Sequence, residues 1–343
     1  MAEKNRVTLA TIAAATGVSV TTISKVLNGS GDVAASTRML VEDQLERLGY
    51  ARRGESRSEF IEVVLHELDS NWSLEVIEGV RDVAASSGRT ISLSVNGDRY
   101  APTEGWIIDV VRRRPIGVVL VFAGLPASAR RTLKARGIPF VMLDQTGDPA
   151  PDVPGIGSAN WQGGVLATRH LIELGHRAIG AIMGPDDMMS SLARIDGFRS
   201  AMSSASLQVH PGWERFGDVH VESGEHIAGE FLAMAETPTA IFAGSDLQAM
   251  GVVRAARLRG LDVPRDLSVV GYDDIPLASI GTPRLTTVHQ PLRRMAEEAT
   301  RLLLRMQGGG EPATTRIDLA PTLVIRESTA PPAPLLPVPF TTS

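Results

Sequence analysis

A short polar stretch near the N-terminus carries side chains that suit a DNA-reading helix. In the segment VTTISKVL (20–27), Thr21, Thr22, Ser24 and Lys25 alternate with apolar residues at helical spacing. Hydroxyl and ammonium groups on such a helix can donate hydrogen bonds to base edges and phosphates in the major groove. Any small helical bundle has similar features, so this stretch alone does not decide its function.

A second group of polar residues stands close to predicted strands. Arg194 opens the string RIDGF, Ser245 and Asp246 follow an apolar run at 239–243, and Asp273 follows one at 267–272. Ligands of open α/β sheets lie at the carboxyl ends of strands. An arginine fork can bind two hydroxyls or a carboxylate. The alternatives are a surface salt bridge for Arg194, a turn cap for Asp273 and helix caps for Ser245 and Asp246.

Several function classes have no support in the sequence. The chain of 343 residues has no cysteine and a net charge of −5. No G-x-G-x-x-G follows an early strand, no phosphate-binding P-loop occurs, and the string HELD (66–69) is not a zinc motif. We therefore expect no enzyme, cofactor or metal site. Residues 1–58 carry +2 and the rest −7, which marks the N-terminal part as a separate region.

The elements that position the first group form a helical head. Thr8 is expected to cap a helix over 9–15, and Ser19 a second helix over 20–27. A third helix over 35–48 is expected to bury Met39, Leu40, Leu45 and Leu48. The first two helices, joined by a short turn with a glycine, have the form of a helix-turn-helix.

The rest of the chain predicts parallel sheets covered by helices. Strands and helices alternate from residue 61 to residue 272. The predicted strands are 61–68, 90–95, 117–122, 138–144, 178–183, 239–243 and 267–272. The predicted helices are 74–87, 126–136, 160–174, 190–204, 223–235 and 245–259. Residues 51–59 are predicted to be a linker, and the tail 330–343, rich in proline, to be extended or disordered.

The head resembles that of the LacI/GalR family of bacterial transcription regulators. The resemblance covers residues 6–50 through VTLATIAAATGVSVTTISKVLNG (7–29) and VAASTRMLVEDQLERLGY (33–50). It implies base contacts by Val20, Thr21 and Lys25. It implies phosphate contacts by Thr8, Ser19, Thr22, Ser24 and Asn28. The family's hinge leucine is missing from ARRGESRSE (51–59), so Arg52 and Arg53 are expected either to contact DNA there or to be solvated linker charges.

Residues 60–326 resemble the family's core, which is built like periplasmic sugar-binding proteins. The strings HLIELGHRAIGAIMGP (170–185), PTAIFAGSDLQAMGVVRAARLRGLDVPRDLSVVGYDD (238–274) and LTTVHQPL (285–292) carry the match. The resemblance implies two doubly wound lobes, about 60–158 with 290–320 and about 161–286 with 321–326. An effector is expected between them. Its expected contacts are Trp72, Asp144, Asn160, Trp161, Arg194, Ser245, Asp246, Asp273 and Gln290, although the two tryptophans could instead serve lobe packing.

The sequence thus predicts an all-α helix-turn-helix head followed by an α/β core of two parallel-sheet lobes. The expected function is a homodimeric repressor of carbohydrate-utilisation genes. It would bind a double-stranded DNA operator with inverted half-sites and respond to a mono- or oligosaccharide effector. The expected location is the cytoplasm, at the nucleoid, with no membrane contact. Alternatives are a corepressor-dependent regulator of a non-sugar pathway and a sugar-binding protein without a DNA role.

Overall fold

The computed structural model describes residues 7–27, 32–48, 59–68, 71–145, 150, 152–310 and 315–333. The chain divides into two compact units. Unit 1 is Met1–Gly157 with Leu292–Ile317, and unit 2 is Ser158–Pro291 with Asp318–Ser343. Each unit consists of two separate stretches, so the chain passes between the units three times.

Three helices form the head at the start of unit 1: α1 Leu9–Thr16, α2 Val20–Leu27 and α3 Ala35–Arg47. The Thr8 hydroxyl accepts a hydrogen bond from the Thr11 amide and caps α1, and Gly17 ends α1 with φ 69°. That left-handed conformation is accessible to glycine without strain, which explains the sharp turn into α2. The predicted bounds of the head helices are confirmed to within one residue.

One expectation about the head is wrong. Met39 and Leu40 on α3 are exposed, and Val41 and Leu45 fill the head core together with Ile12 and Ile23. A helix of this length buries only one stripe of its surface, and Val41 and Leu45 have the i, i+4 spacing of such a stripe.

Eight further helices and twelve strands follow among the described residues. In chain order they are β1 Phe60–Leu65, α4 Asn71–Ser86, β2 Thr90–Val95, α5 Glu104–Arg113, β3 Gly117–Leu120, α6 Ala127–Ala135, β4 Phe140–Leu143, β5 Gly155–Ser158, α7 Asn160–Glu173, β6 Ile179–Met183, α8 Met189–Ser204, β7 Glu214–Phe216, α9 Val221–Phe231, β8 Ala240–Ala243, α10 Asp246–Leu258, β9 Ser268–Asp273, β10 Thr286–His289, α11 Leu292–Gln307, β11 Arg316–Leu319 and β12 Thr322–Val324.

The two units contain sheets of the same strand order. In unit 1 the order is β11-β5-β4-β3-β1-β2, and in unit 2 it is β12-β10-β9-β8-β6-β7. The pairs β1–β2, β1–β3, β3–β4 and β4–β5 are parallel, as are β6–β7, β6–β8, β8–β9 and β9–β10. Strand β12 pairs antiparallel with β10. Leaving out the last edge strand, both orders are the doubly wound 2-1-3-4-5, so the predicted fold class is confirmed.

Buried apolar strands hold each unit together. Strands β3, β4, β6 and β8 are buried along their whole length. Continuous burial is expected for parallel strands that have helices on both faces. Helix α5 and the strands β5, β7, β10, β11 and β12 were not predicted.

Only one combination of described helices has the length and apolar composition of a membrane span, and no single one does. That combination is α1 with α2, which are bent by 109° at their junction. Their buried residues Ile12, Ile23 and Val26 pack into the head core.

The last described residues are fastened to unit 2. The Ser328 hydroxyl donates to the Val269 carbonyl at 2.6 Å, and the Ala330 amide donates to Ser268 Oγ at 3.0 Å. His176 Nε2 donates to the Ala330 carbonyl at 2.9 Å, and His170 Nε2 lies 3.0 Å from Thr329 Oγ1. The core therefore continues four residues beyond the expected end at 326. Residues 334–343 of the predicted tail lie outside the described residues.

We expect acid to destabilise unit 2 through His170 and His176. Burial lowers the pKa of both imidazoles below 6.5, so the unfolded chain binds more protons than the folded one as the pH falls through 6.5. The free energy of unfolding should then fall by up to about 1.4 kcal/mol per pH unit for each histidine. Urea unfolding between pH 7.5 and 5 measures this dependence.

The matched control for this prediction is His226, an exposed histidine on α9. A His176→Gln variant should lose part of the pH dependence between pH 6.5 and 5, and a His226→Gln variant should not. Equal dependence in all three proteins would contradict the assignment to the buried imidazoles.

Candidate functional site

Helix α2 presents a polar face on the surface of the head. The Ser19 hydroxyl accepts a hydrogen bond from the Thr22 amide at 3.1 Å, which caps α2 at the predicted position. Val20 is 45% exposed and Thr21 is also exposed, while Ile23 is fully buried. Thr21 and Lys25 are thus exposed while Thr22 and Ser24 are half-buried, and the DNA contacts themselves stay predictions.

Not every predicted DNA contact can be placed. Asn28, Arg52 and Arg53 lie outside the described residues. Thr8 is exposed at the start of α1, and Ser24 is half-buried on α2. The hydroxyls of Thr8 and Ser19 serve as helix caps, and each also lies within hydrogen-bond distance of a neighbouring hydroxyl, Thr11 Oγ1 at 3.0 Å and Thr22 Oγ1 at 2.9 Å.

Lys25 has an acidic partner that sequence reasoning missed. Its Nζ donates to Asp32 Oδ2 at 2.7 Å, and both side chains are about half exposed. The hydrogen bond from Lys25 lowers the pKa of Asp32. The lysine on the exposed face of α2 is therefore part of an ion pair.

Arg194 is the centre of a polar cluster in unit 2. Nε donates to Asn160 Oδ1 at 2.9 Å, Nη1 to the Gly244 carbonyl at 2.6 Å and Nη2 to Gln290 Oε1 at 3.1 Å. The Asp273 carboxylate lies 3.8 Å from Nη2. A guanidinium carries five N–H groups, so two remain beyond these three bonds. Arg194 is 8% exposed, which excludes the expected alternative of a surface salt bridge.

The aromatic ring of Tyr272 packs against the Arg194 guanidinium. The Arg194 guanidinium carbon lies 3.6 Å from the centre of the Tyr272 ring, a cation–π contact. The Tyr272 hydroxyl donates to Asn160 Oδ1 at 3.3 Å. Sequence reasoning missed this tyrosine, although it directly precedes Asp273 in the quoted string VVGYDD.

Glycines bring α7 and α8 close enough to form this cluster. A Cβ on Gly164 would lie 2.1 Å from the Arg194 carbonyl, and one on Gly197 would lie 2.1 Å from the Trp161 carbonyl. A Cβ on Gly163 would lie 2.3 Å from the Tyr272 hydroxyl. The glycines of NWQGG (160–164) and IDGF (195–198) therefore allow the close packing of α7 against α8 and against Tyr272, which was not predicted.

Ser245 and Asp246 have internal partners. The Ser245 hydroxyl accepts from the Gln248 amide at 3.1 Å, so the capping alternative holds for Ser245. Asp246 is fully buried, and its carboxylate accepts from Thr287 Oγ1 at 2.6 Å and from the Ile275 amide at 2.8 Å. Burial, with the charge of Asp273 as the next cause, raises the pKa of Asp246 well above its usual range. These contacts hold the loop after β9 in place, and an effector contact by Asp246 stays a prediction.

The two aspartates after β9 have different surroundings. Asp273 and Asp274 have φ values of 102° and 61°, which are unusual for residues other than glycine. Arg326 Nη2 donates to Asp274 Oδ1 at 2.6 Å, and His289 Nδ1 lies 3.2 Å from Asp274 Oδ2. Although burial opposes it, these hydrogen bonds lower the pKa of Asp274. Asp274 therefore has a structural role, and Asp273 is the carboxylate next to Arg194.

The remaining expected effector contacts divide between the two units. Trp161 is half exposed in the first turn of α7 in unit 2, one residue after Asn160. Trp72 at the start of α4 and Asp144 after β4 belong to unit 1. The structure thus connects Asn160, Arg194, Asp273 and Gln290 through direct contacts. Within the described ranges, no cluster of three or more histidine and acidic side chains has the arrangement of a metal site.

Comparison with known proteins identifies both parts of the chain. Residues 8–53 match "Bacterial regulatory proteins, lacI family", and residues 168–329 match "Periplasmic binding protein-like domain". The HTH-type transcriptional repressor PurR of Pectobacterium carotovorum subsp. carotovorum (strain PC1) is 34% identical over 331 residues, which cover 94% of this chain and 97% of that one.

Two solved structures extend the comparison. The transcriptional regulator CelR in complex with cellobiose has a TM-score of 0.71 and 31% identity, covering 94% of this chain and all of that one. The lac repressor dimer bound to operator and the anti-inducer ONPF has a TM-score of 0.69 and 27% identity, covering 95% and 100%. The relatives named here are repressors and not enzymes. This chain belongs to the lacI family and is a DNA-binding transcriptional repressor.

Proposed function

We propose that the repressor controls carbohydrate-utilisation genes and releases its operator when a mono- or oligosaccharide binds at Arg194. The observation that carries this proposal is the fixed guanidinium with two remaining N–H groups, 3.8 Å from the Asp273 carboxylate. Adjacent donors and acceptors of this kind suit neighbouring sugar hydroxyls, which both donate and accept. The half-exposed indole of Trp161 supplies a face for sugar C–H groups. The cellobiose complex of the CelR regulator supports a sugar as the ligand class.

The proposed control is thermodynamic linkage between sugar and DNA. A sugar that binds one conformation of the core more tightly than another changes the population that can hold both heads on an operator. A ligand with equal affinity for both conformations would change nothing. Trp72 and Asp144 are proposed as further effector contacts.

The proposal includes a homodimer on an operator with inverted half-sites. Leu258 on α10 and Ile280 between β9 and β10 are 70% and 72% exposed, and Leu74 on α4 is also exposed. Helices α4 and α10, which carry Leu74 and Leu258, are the proposed elements of the dimer face. A helix-turn-helix dimer reads two half-sites about one helical turn apart. Since the operator is chromosomal DNA, the proposed place of action is the nucleoid.

A ligand screen followed by a DNA-release assay tests the sugar proposal. Thermal unfolding of the full chain is measured with cellobiose, ribose, other mono- and oligosaccharides, and purine bases, because indole also stacks on purines. The expected result is a raised unfolding temperature with one class of sugar, and release of operator DNA by the same sugar. A shift with purine bases alone, or a sugar that tightens DNA binding, would overturn the proposal.

Lys25 is proposed to contact a base edge, with Val20 and Thr21 on the same face of α2. Lys25→Ala should weaken binding to the operator by about 1–3 kcal/mol for each head and relax sequence preference at one position. Fluorescence anisotropy on an operator duplex and on a random duplex measures the difference.

The matched control is Lys134→Ala, an exposed lysine outside the head that pairs with Asp152. It should leave both affinities unchanged. If Lys25→Ala weakened operator and random DNA equally, Lys25 would be a phosphate contact instead.

A further inference from the structure

An acidic side chain stands on the DNA-reading side of the head, next to the lysine of α2. Asp32 lies between α2 and α3, and its Oδ2 is 2.7 Å from Lys25 Nζ. The two side chains are 50% and 56% exposed. A carboxylate at this place repels DNA phosphates, so its presence calls for an explanation.

Stability does not explain the pair. An exposed ion pair contributes about 0–1 kcal/mol to folding. Asp32 is also outside the buried core of the head, which is made of Ile12, Ile23, Val26, Leu27, Val41 and Leu45. The pair is therefore better explained by what it presents to DNA.

The pair presents a donor and an acceptor at the spacing of a base-pair edge. In the major groove a G·C pair shows the guanine O6 acceptor next to the cytosine N4 donor. These two atoms are hydrogen-bonded to each other, so they lie about 2.9 Å apart. Lys25 Nζ and Asp32 Oδ2 are 2.7 Å apart, which is close to that spacing. The ammonium can therefore donate to guanine O6 while the carboxylate accepts from cytosine N4.

The neighbouring groups favour G·C over A·T. Beside guanine O6 lies N7, a second acceptor that attracts the lysine. On an A·T pair the lysine would face thymine O4 and its neighbouring methyl group. The carboxylate would face adenine N6, beside N7, whose lone pair repels it. The combination of one lysine and one aspartate is thus more selective than a lysine alone.

We propose that Asp32 is a specificity-determining residue that reads one G·C base pair in each half-site together with Lys25. The proposal rests on the proposed base contact of Lys25 and not on the sugar proposal. Asp32 also limits nonspecific binding, because it keeps the Lys25 ammonium from pairing with a phosphate.

The experiment is selection of binding sites from a random double-stranded DNA library, with the full chain and without sugar. The proteins are the unmodified chain, Asp32→Ala, Asp32→Asn and the control Asp43→Ala. Asp43 is an equally exposed aspartate that pairs with Arg47 at 3.1 Å on α3. Thermal unfolding of each variant checks that it is folded.

The unmodified chain should select inverted half-sites with one G·C position that depends on Asp32. Asp32→Ala should reduce the preference at that position about tenfold or more and leave the other positions unchanged. Asp32→Asn should admit A·T there, because the charge that repels adenine N7 is gone. For binding of the Asp32 variants to a random duplex, the slope of log K against log salt concentration should become steeper by about 0.9 for each head, because the freed lysine contacts a phosphate.

Two results would overturn the proposal. Unchanged site preference in both Asp32 variants would show that the carboxylate does not read DNA. A uniform loss at all positions, or the same change in Asp43→Ala, would assign the effect to the general charge or fold of the head. Because no sugar is present, a failure of the proposed effector site leaves this test unaffected.

Discussion

Arg194→Ala is expected to abolish the response to effector while operator binding persists. The substitution removes the guanidinium that Asn160, the Gly244 carbonyl and Gln290 hold in place. Hydrogen bonds to a charged group contribute about 1.5–3 kcal/mol each, so losing two to the ligand should weaken binding at least a hundredfold. Calorimetric titration with the sugar found by the screen measures the affinity, and operator release measures the response.

Two further variants make this result specific. Arg194→Lys keeps the charge but not the planar fork, and it should fail to restore the response. Arg199→Ala changes an exposed arginine on the same helix, which pairs with Glu214, and it should behave like the unmodified chain. Normal release by titrated sugar in Arg194→Ala would refute the site. Loss of operator binding would show that Arg194 is needed for the fold.

The sequence predicts best where the signal is local. The caps Thr8 and Ser19 and the glycine at 17 gave the bounds of α1 and α2, because a helix end depends on a few neighbouring residues. Continuous apolar runs predicted β3 and β6 for the same reason. Strand β5 was missed because GIGS has two glycines and little strand propensity, and its pairing with β4 depends on distant residues.

The sequence predicted which residues form the cluster around Arg194 better than it predicted the role of each residue. Arg194, Asn160, Asp273 and Gln290 do come together, as the family resemblance implied. The hydrogen bond that holds the buried Asp246 was not predicted, because its partner Thr287 is 41 positions away in the sequence. Burial of that kind follows from strand order, which no local pattern contains. The Lys25–Asp32 pair was missed because the six residues between the partners show no periodicity that would bring them together.

Arg113→Ala is expected to destabilise unit 1 more than any exposed substitution in it. Glu62 on β1 is completely buried, and Arg113 Nη2 donates to its Oε1 at 2.5 Å while Nε donates to Oε2 at 3.2 Å. Removing the arginine leaves a buried carboxylate without its countercharge, at a cost of about 3–5 kcal/mol. Urea unfolding gives the change, and hydrogen exchange of the β1 amides assigns it to unit 1.

Arg112, the residue before Arg113, is the control for the loss of an exposed charge instead of a buried ion pair. Arg112 pairs with Asp109 at 2.7 Å on the exposed side of α5, so Arg112→Ala should change stability by less than about 1 kcal/mol. The double variant Glu62→Gln with Arg113→Ala should recover much of the lost stability, because the amide keeps an acceptor for Ser94 and Trp106 without a buried charge. If the double variant were less stable than Arg113→Ala alone, the loss would come from the packing of the arginine stem against the unit and not from an unpaired carboxylate.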